Sequence, residues 1–277
     1  MSFVLIECGS SARGDFNPES DRDIVCIWKE SKPDFESLKK SFGDIAFYSE
    51  KTISKMKNKG SLFIAHLGVD GKHLLGDRTL LSIFKDFEPN TKATQKNIME
   101  TESFIKSIEW FPYTDRGALW LLDVLYVALR NYIFCKNSLD EIYIFGYEKA
   151  LKAFGLAQID IELMLKLRDG KYAYRKGTTL KNLTATRDIA ELACKKILKS
   201  QVRFREGGST KWDTLNKSSY WTERLIERAI LNNEHADSEF IDILKSHQYN
   251  KQLLKSKTLK IVESHKKNQN NNITPPI

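Results

Sequence analysis

The chain has 277 residues, of which 41% are hydrophobic and 29% are charged, a composition typical of a globular protein with one large domain or two modest ones. No apolar stretch is long enough and free enough of charge to predict a membrane span, and no secretory signal pattern follows Met1, so we expect a cytoplasmic protein without a membrane partner. Four widely spaced cysteines predict neither a disulfide framework nor a zinc site.

Strands and helices alternate in the pattern of the first 90 residues. Short runs rich in valine and isoleucine predict strands, and apolar residues at helical spacing predict helices between them. The predicted strands lie at residues 3–7, 23–28, 44–49 and 71–77, and the predicted helices at 33–42, 53–56 and 62–67. This order predicts a small mixed-sheet domain over residues 1–90, followed by a hinge at 88–90.

The remainder of the chain has a helical pattern. Helices are predicted at residues 118–134, 146–153, 159–167, 183–198, 220–231 and 239–255. The first of these is mostly apolar, which indicates the buried central helix of a bundle. We therefore predict the α+β class, with an all-α helical-bundle domain over residues 91–256 after the mixed-sheet domain. The polar, asparagine-rich end predicts a disordered tail over residues 257–277.

The segment GSSARGDFNPESDRD, residues 9–23, combines groups that bind anions with groups that bind cations. It begins like a P-loop, but Asp15 stands where that loop needs a lysine, which excludes a P-loop. Gly9 lets the backbone approach a phosphate closely, Ser10 offers a hydroxyl and an amide, and Arg13 adds a charged donor. These three residues predict binding of a phosphate group.

Two aspartates follow at the start of the second predicted strand. Asp21 and Asp23 are two residues apart, so both carboxylates leave the same face of a sheet. Two hard oxygen ligands on one face, completed by substrate phosphates, are typical of a Mg²⁺ site.

With the glycine-serine pair, ARGD and SDRDIV in this order, the segment resembles the signature of the polymerase-β-type nucleotidyltransferase superfamily. The resemblance covers about the first 90 residues and is closest to minimal nucleotidyltransferases and aminoglycoside nucleotidyltransferases. It implies a third carboxylate on a later strand, for which Asp44 in GDIAFYS is the better candidate and Glu50 the alternative. It also implies two Mg²⁺ ions, held by the catalytic residues Asp21, Asp23 and Asp44, that act on a bound NTP such as ATP.

Positive charge is concentrated in the predicted helical domain. Residues 1–90 hold 13 Lys and Arg against 14 Asp and Glu, whereas residues 91–277 hold 31 against 22. The segment 166–211 alone has 13 basic and 4 acidic residues. This excess indicates either a surface that binds a polyanion or a pair of solvated helix faces.

Within the basic segment, Arg168, Lys171 and Arg175 are interleaved with tyrosines, a pattern suited to phosphate contact and base stacking. They align at three- and four-residue spacing if the stretch is helical, although Gly170 argues against a helix. We name these three residues as candidate acceptor-binding residues, with Tyr172 and Tyr174 as the stacking rings.

The sequence thus predicts a Mg²⁺-dependent nucleotidyltransferase that moves an NMP from an NTP to an acceptor hydroxyl and releases pyrophosphate. The basic segment favours the 3′ end of an RNA or tRNA, or a hydroxyl on a partner protein, as acceptor. Two alternatives stay open. One is an aminoglycoside-type enzyme with a small-molecule acceptor, and the other is a non-catalytic protein of the same fold that binds RNA or a toxin.

Overall fold

A computed structural model describes residues 2–15, 22–85, 87–178, 183–215, 219–245 and 251–271. The chain divides into two compact units, each built from two segments. The first unit combines Met1–Ser103 with Ala128–Leu165, and the second combines Phe104–Val127 with Lys166–Ile277. The change of local sequence pattern predicts a boundary near residue 90. The compact units of the structure instead place residues 128–165 in the first unit as well.

The first unit contains a four-stranded mixed sheet. Its strands are β1 (Phe3–Cys8), β2 (Asp23–Trp28), β3 (Ile45–Ser49) and β4 (Lys72–Gly76), in the order β3-β2-β1-β4. Strand β1 runs antiparallel to both β2 and β4, and β2 runs parallel to β3. The end of β1 and the starts of the other three strands therefore lie at one end of the sheet, which we call the site end.

Helices cover both faces of the sheet, because apolar side chains alternate between the two faces along the strands. The helices are α1 (Gly9–Arg13), α2 (Phe35–Phe42), α3 (Glu50–Asn58), α4 (Leu62–Asp70) and a 3-10 helix at Arg78–Phe84. On one face Ile6 and Val25 share a core with Ile64 of α4. On the other face Leu5 and Ile24 pack with residues of α2. This period of two confirms the predicted strand pattern.

Most of the described residues after the sheet are helical. The helices are α5 (Thr91–Ser107), α6 (Asp115–Leu139), α7 (Tyr147–Ala153), α8 (Gln158–Lys176), α9 (Leu183–Leu198), α10 (Tyr220–Leu231), α11 (Ser238–Lys245) and α12 (Lys251–Asn271), with two short parallel strands, β5 (Trp110–Phe111) and β6 (Arg205–Glu206). A second 3-10 helix spans Trp212–Thr214. The small mixed sheet followed by a mostly helical region confirms the predicted α+β class.

Helix α6 is the buried helix that the apolar run predicts. By length and composition it is the one helix among the described residues that is long and apolar enough to cross a membrane, but most of its apolar window is buried inside the protein. A core helix of a soluble protein has the same composition.

Two stretches differ from the sequence prediction. The segment predicted to be a disordered tail is helical as far as Asn271, because Leu254, Ile261 and Val262 form an apolar stripe that joins the core of the second unit. Residues 272–277 lie outside the described residues. Helix α8 also passes through Gly170 without a break. A Cβ there would overlap Leu122, so close helix packing requires the glycine.

Candidate active site

The glycine of the glycine-serine pair lies where β1 turns into α1. Gly9 has φ +76°, in the left-handed region that favours glycine. A Cβ at this position would lie 2.6 Å from Oδ2 of Asp23. Ser10 is the second residue of α1 and is half-buried. The sheet thus brings both residues of the pair to the site end, beside the first residue of β2.

A buried thiol supports this turn. Cys8 is paired with Asp23 in the antiparallel register, and its Sγ donates to the Asp23 backbone carbonyl at 3.6 Å. Burial, followed by the negative charges of Asp23 and Asp70, raises the pKa of the Cys8 thiol to about 12. The thiol therefore stays neutral and serves as packing.

Strand register decides which carboxylates meet at the site end. Ile24 of β2 is paired with Ile45 of β3, so Asp44 and Asp23, which precede them, lie side by side, about 4.8 Å apart by ordinary strand spacing. Both are exposed. Ser49, which is paired with Trp28, lies five residues, or roughly 16 Å, along the strand from Asp44, and Glu50 follows it at the opposite end of the sheet. The register favours Asp44 over Glu50 as the third carboxylate.

The two neighbouring carboxylates fit a divalent cation in chemical type, since carboxylate oxygens are the ligands of hard ions. Asp21, the remaining predicted ligand, lies outside the described residues. Within the part of the chain that the structure describes, no three His, Cys, Asp or Glu side chains form a group that could hold a metal ion. The fit to a metal therefore depends on Asp23 and Asp44 together with Asp21.

The guanidinium of Arg13 faces two carboxylates. Its Nε donates to both carboxylate oxygens of Asp15, at 3.1 and 3.2 Å, and its Nη1 donates to Oδ2 of Asp70 at 2.5 Å. Burial alone would lower the pKa of Arg13, but Asp15 and Asp70 raise it above its ordinary value. The guanidinium is thus engaged by two carboxylates of the same unit.

Asp70, at the end of α4, is a residue of the site end that the sequence motif does not contain. Its side chain is only 7% exposed, and His66 Nε2 lies 3.1 Å from its Oδ2, without the angles of a hydrogen bond. Burial alone would raise the pKa of Asp70, but the contacts with His66 and Arg13 lower it below its ordinary value. Its partner Arg13 is 57 positions away, so no local pattern reveals the pair.

A further ion pair borders the site end. Arg22 Nε donates to Glu7 of β1 at 2.8 Å, and this bond lowers the pKa of Glu7. Arg22 is thus paired with a carboxylate of β1, as Arg13 is paired with Asp15.

The three candidate acceptor-binding residues lie on α8, whose helical form aligns them as predicted. Lys171 Nζ lies 5.4 Å from the ring centroid of Tyr126 and 4.8 Å from that of Tyr172. Arg168 is half-buried, and Arg175 is exposed.

The assignment of Tyr174 as a stacking ring is wrong. Its side chain is buried, and its hydroxyl donates to Glu227 at 2.6 Å. A ring enclosed in this way has no face for a nucleic-acid base.

The mixed sheet, with a glycine-serine turn and two strand-start aspartates at one end, is typical of enzymes that transfer nucleotides. Residues 5–108 match the family model of the nucleotidyltransferase domain, a region that includes most of β1 and all of β2, β3 and β4. Residues 5–108 therefore form a nucleotidyltransferase domain, consistent with the polymerase-β-type superfamily, and this domain indicates a nucleotidyltransferase enzyme. No curated protein matches its sequence.

Proposed function

We propose that this protein is a cytoplasmic, Mg²⁺-dependent enzyme that transfers an NMP from an NTP to an acceptor hydroxyl and releases pyrophosphate. The observation that carries the proposal is the arrangement of Gly9, Asp23 and Asp44 at one end of the sheet. A turn whose backbone a phosphate can approach closely thus lies beside two carboxylates suited to a cation. The family match supports the reaction class.

In this proposal Asp21, Asp23 and Asp44 hold two Mg²⁺ ions. When bound, the ions stabilise the negative charge of the transferred phosphate and of the leaving pyrophosphate. The backbone at Gly9 and Ser10 holds the β- and γ-phosphates of the NTP.

The covalent step is a displacement at the α-phosphorus. The acceptor oxygen forms a new bond to this phosphorus, and the bond from the phosphorus to the oxygen that bridges to the β-phosphate breaks. Asp44 accepts the proton of the attacking hydroxyl, and pyrophosphate leaves with the bridging oxygen. Asp44 suits this role because it is exposed and lies beside Asp23.

For the acceptor we favour the 3′ end of an RNA, such as a tRNA. Arg168, Lys171 and Arg175 align on α8, and two of their neighbours, Tyr126 and Tyr172, are aromatic rings within cation-π distance of Lys171. A partner-protein hydroxyl is the second candidate. The positive charge of this helix is less suited to an aminoglycoside, which is polycationic.

The reaction is tested with each labelled NTP, Mg²⁺ and either total RNA or a protein extract. Asp23→Asn and Asp44→Asn should each lower transfer at least 100-fold, a magnitude on the order of that for an essential electrostatic group. Glu50→Gln is the matched control, because it removes a carboxylate from the opposite end of the same sheet, and it should keep activity near that of the wild type. Transfer that survives both aspartate changes would refute the site.

The acceptor is tested separately. Lys171→Gln with Arg175→Gln should weaken RNA labelling and make its salt dependence shallower, by roughly one unit of slope per lost phosphate contact, with no change in the KM for NTP. Lys152→Gln, which removes an exposed lysine of the first unit, is the control. Labelling of an aminoglycoside alone would favour the small-molecule enzyme. NTP binding without transfer to any acceptor would favour the binding protein.

A further inference from the structure

We propose that Arg13 is a positioning residue: together with Asp70 it forms a clamp that holds helix α1 in place, and it does not bind the NTP phosphates itself. The identity of the ligand that α1 serves rests on the proposed function. The clamp belongs to the ligand-free protein and is tested without a ligand as well.

The guanidinium of Arg13 is directed at two carboxylates. Nε faces Asp15 and Nη1 faces Asp70, and the Arg13 and Asp70 side chains are only 18% and 7% exposed. A phosphate that approached Nε or Nη1 would have to displace a carboxylate that already makes a charge-assisted bond. A buried bond of this kind fixes orientation better than an exposed pair does.

Asp70 lies at a fixed place in the fold. It is the last residue of α4, where the negative end of the helix disfavours a carboxylate unless a cation is close. The next residue, Gly71, is wedged against the sheet, since a Cβ there would overlap the Leu67 carbonyl and lie 2.8 Å from Ile6 Cγ2. Asp70 is therefore a fixed point, and Arg13 ties the end of α1 to it.

The backbone at Gly146 encloses the other side of the guanidinium. A Cβ on Gly146 would lie 2.7 Å from Asp15 Oδ2 and 3.4 Å from Arg13 Nε. The backbone before α7 thus covers the Arg13–Asp15 pair. The amides of Gly14 and Asp15 bond to the Ser10 carbonyl at 3.0 and 3.2 Å, so a displaced Arg13 would loosen the turn that carries Ser10.

The sign of one substitution separates the clamp from a phosphate ligand. If Arg13 binds the phosphates and Asp70 only competes for its guanidinium, Asp70→Asn would release Arg13 and tighten NTP binding. If the pair is a clamp, Asp70→Asn weakens NTP binding in the same way as Arg13→Gln. Arg13→Lys adds a second contrast, because lysine keeps the charge for a phosphate but cannot reach two carboxylates with a planar fork.

The experiment measures equilibrium binding of each NTP with Mg²⁺, and hydrogen exchange of the Gly14 and Asp15 amides in the ligand-free protein. Asp70→Asn, Arg13→Gln and Arg13→Lys should each weaken binding about tenfold and speed exchange about tenfold, on the order of one lost charge-assisted bond. The double variant should be no worse than either single one, because the clamp is lost only once. Arg78→Gln, an exposed arginine beyond the far end of β4, is the control.

Tighter binding by Asp70→Asn, or unchanged exchange in all three variants, would overturn the clamp. If Asp70→Asn does not fold, Asp15→Asn tests the same guanidinium from its more exposed partner. If the wild-type protein binds no NTP, the proposed function fails, and the exchange measurement alone decides on the clamp.

Discussion

Gly9 and Asp23 are in such close contact that no side chain fits between them. A Cβ on Gly9 would lie 2.6 Å from Asp23 Oδ2, closer than a carbon and an oxygen can approach without displacement. Strand register then places Asp44 on the other side of Asp23. The spacing between the glycine-serine turn and the two carboxylates is therefore set by the Gly9–Asp23 contact and by the register of the sheet.

Gly9→Ala should abolish most of the activity by displacing Asp23. A shift of about 1 Å in a catalytic group lowers rates on the order of 100-fold. Alanine also has to adopt φ +76°, which lowers the free energy of unfolding by roughly 1–2 kcal/mol. Steady-state kinetics and denaturant unfolding measure the two effects.

Gly155→Ala separates the contact from the backbone strain. Gly155 has φ +87°, but a Cβ there has no atom within 4 Å. This variant should lose similar stability and keep its activity. Equal loss of activity in both variants would show that strain or unfolding, rather than displacement of Asp23, is the cause.

Gly170→Ala should destabilise the protein although alanine is the better helix former. The propensity gain is about 1 kcal/mol, but the new Cβ would lie 2.6 Å from Leu122 Cβ, and overpacking of this kind costs about 1–3 kcal/mol. Gly68→Ala in α4 is the control, since its nearest neighbour, Phe84 Cβ, is at 3.4 Å. It should be neutral or slightly stabilising in the same urea titration. A more stable Gly170→Ala variant would contradict the packing shown here.

The elements that sequence predicts well here are those with a local cause. The strands of the sheet alternate between two apolar faces, and the GSSARGDFNPESDRD segment carries its chemistry in adjacent residues. The choice of Asp44 over Glu50 is different, because the parallel register of β2 and β3 that favours Asp44 is not contained in the local pattern. The family match covers most of β1 and all of the other three strands of the mixed sheet.

The remaining features depend on partners that are distant in sequence. Arg13 looks like a phosphate ligand from its neighbours, but Asp70 engages it from the end of α4. Tyr174 looks like a stacking ring until Glu227, 53 positions away, accepts its hydroxyl. Helix α12 lies in a polar, asparagine-rich stretch, and only its contact with the core of the second unit shows why it is ordered. Tertiary packing decides each of these cases.

Tyr174→Phe should lower stability and leave RNA labelling unchanged per folded molecule. Glu227 is fully buried and accepts from Tyr174 at 2.6 Å and from Trp120 at 3.1 Å, with Arg224 at 3.0 Å. Loss of one donor to a buried charge costs about 1–3 kcal/mol. Tyr113→Phe, at a side chain that is 67% exposed, should change stability by less than about 0.5 kcal/mol. Intact stability with lost RNA labelling would restore the stacking role of Tyr174.

Acidification should weaken the packing of α12 through His265. This ring stacks on Trp212 with centroids 3.7 Å apart, and its Nε2 shares a hydrogen bond with His235 Nδ1 at 3.2 Å. Burial, and then the charge of His235, lowers the pKa of His265 below 6.5, while Glu234 opposes the shift. The folded state therefore favours the neutral ring, so its stabilisation is complete above pH 6.5 and is lost as the pH falls through the folded pKa.

His265→Phe tests this assignment because phenylalanine keeps the stack on Trp212 and cannot titrate. Unfolding free energies measured in urea between pH 8 and pH 5 should fall more steeply for the wild type than for the variant. The difference should develop below pH 6.5, where the unfolded histidine takes up a proton that the folded ring resists. Parallel pH profiles for the two proteins would show that His265 does not govern the acid sensitivity, whereas a flatter profile for the variant assigns it to this stacked ring.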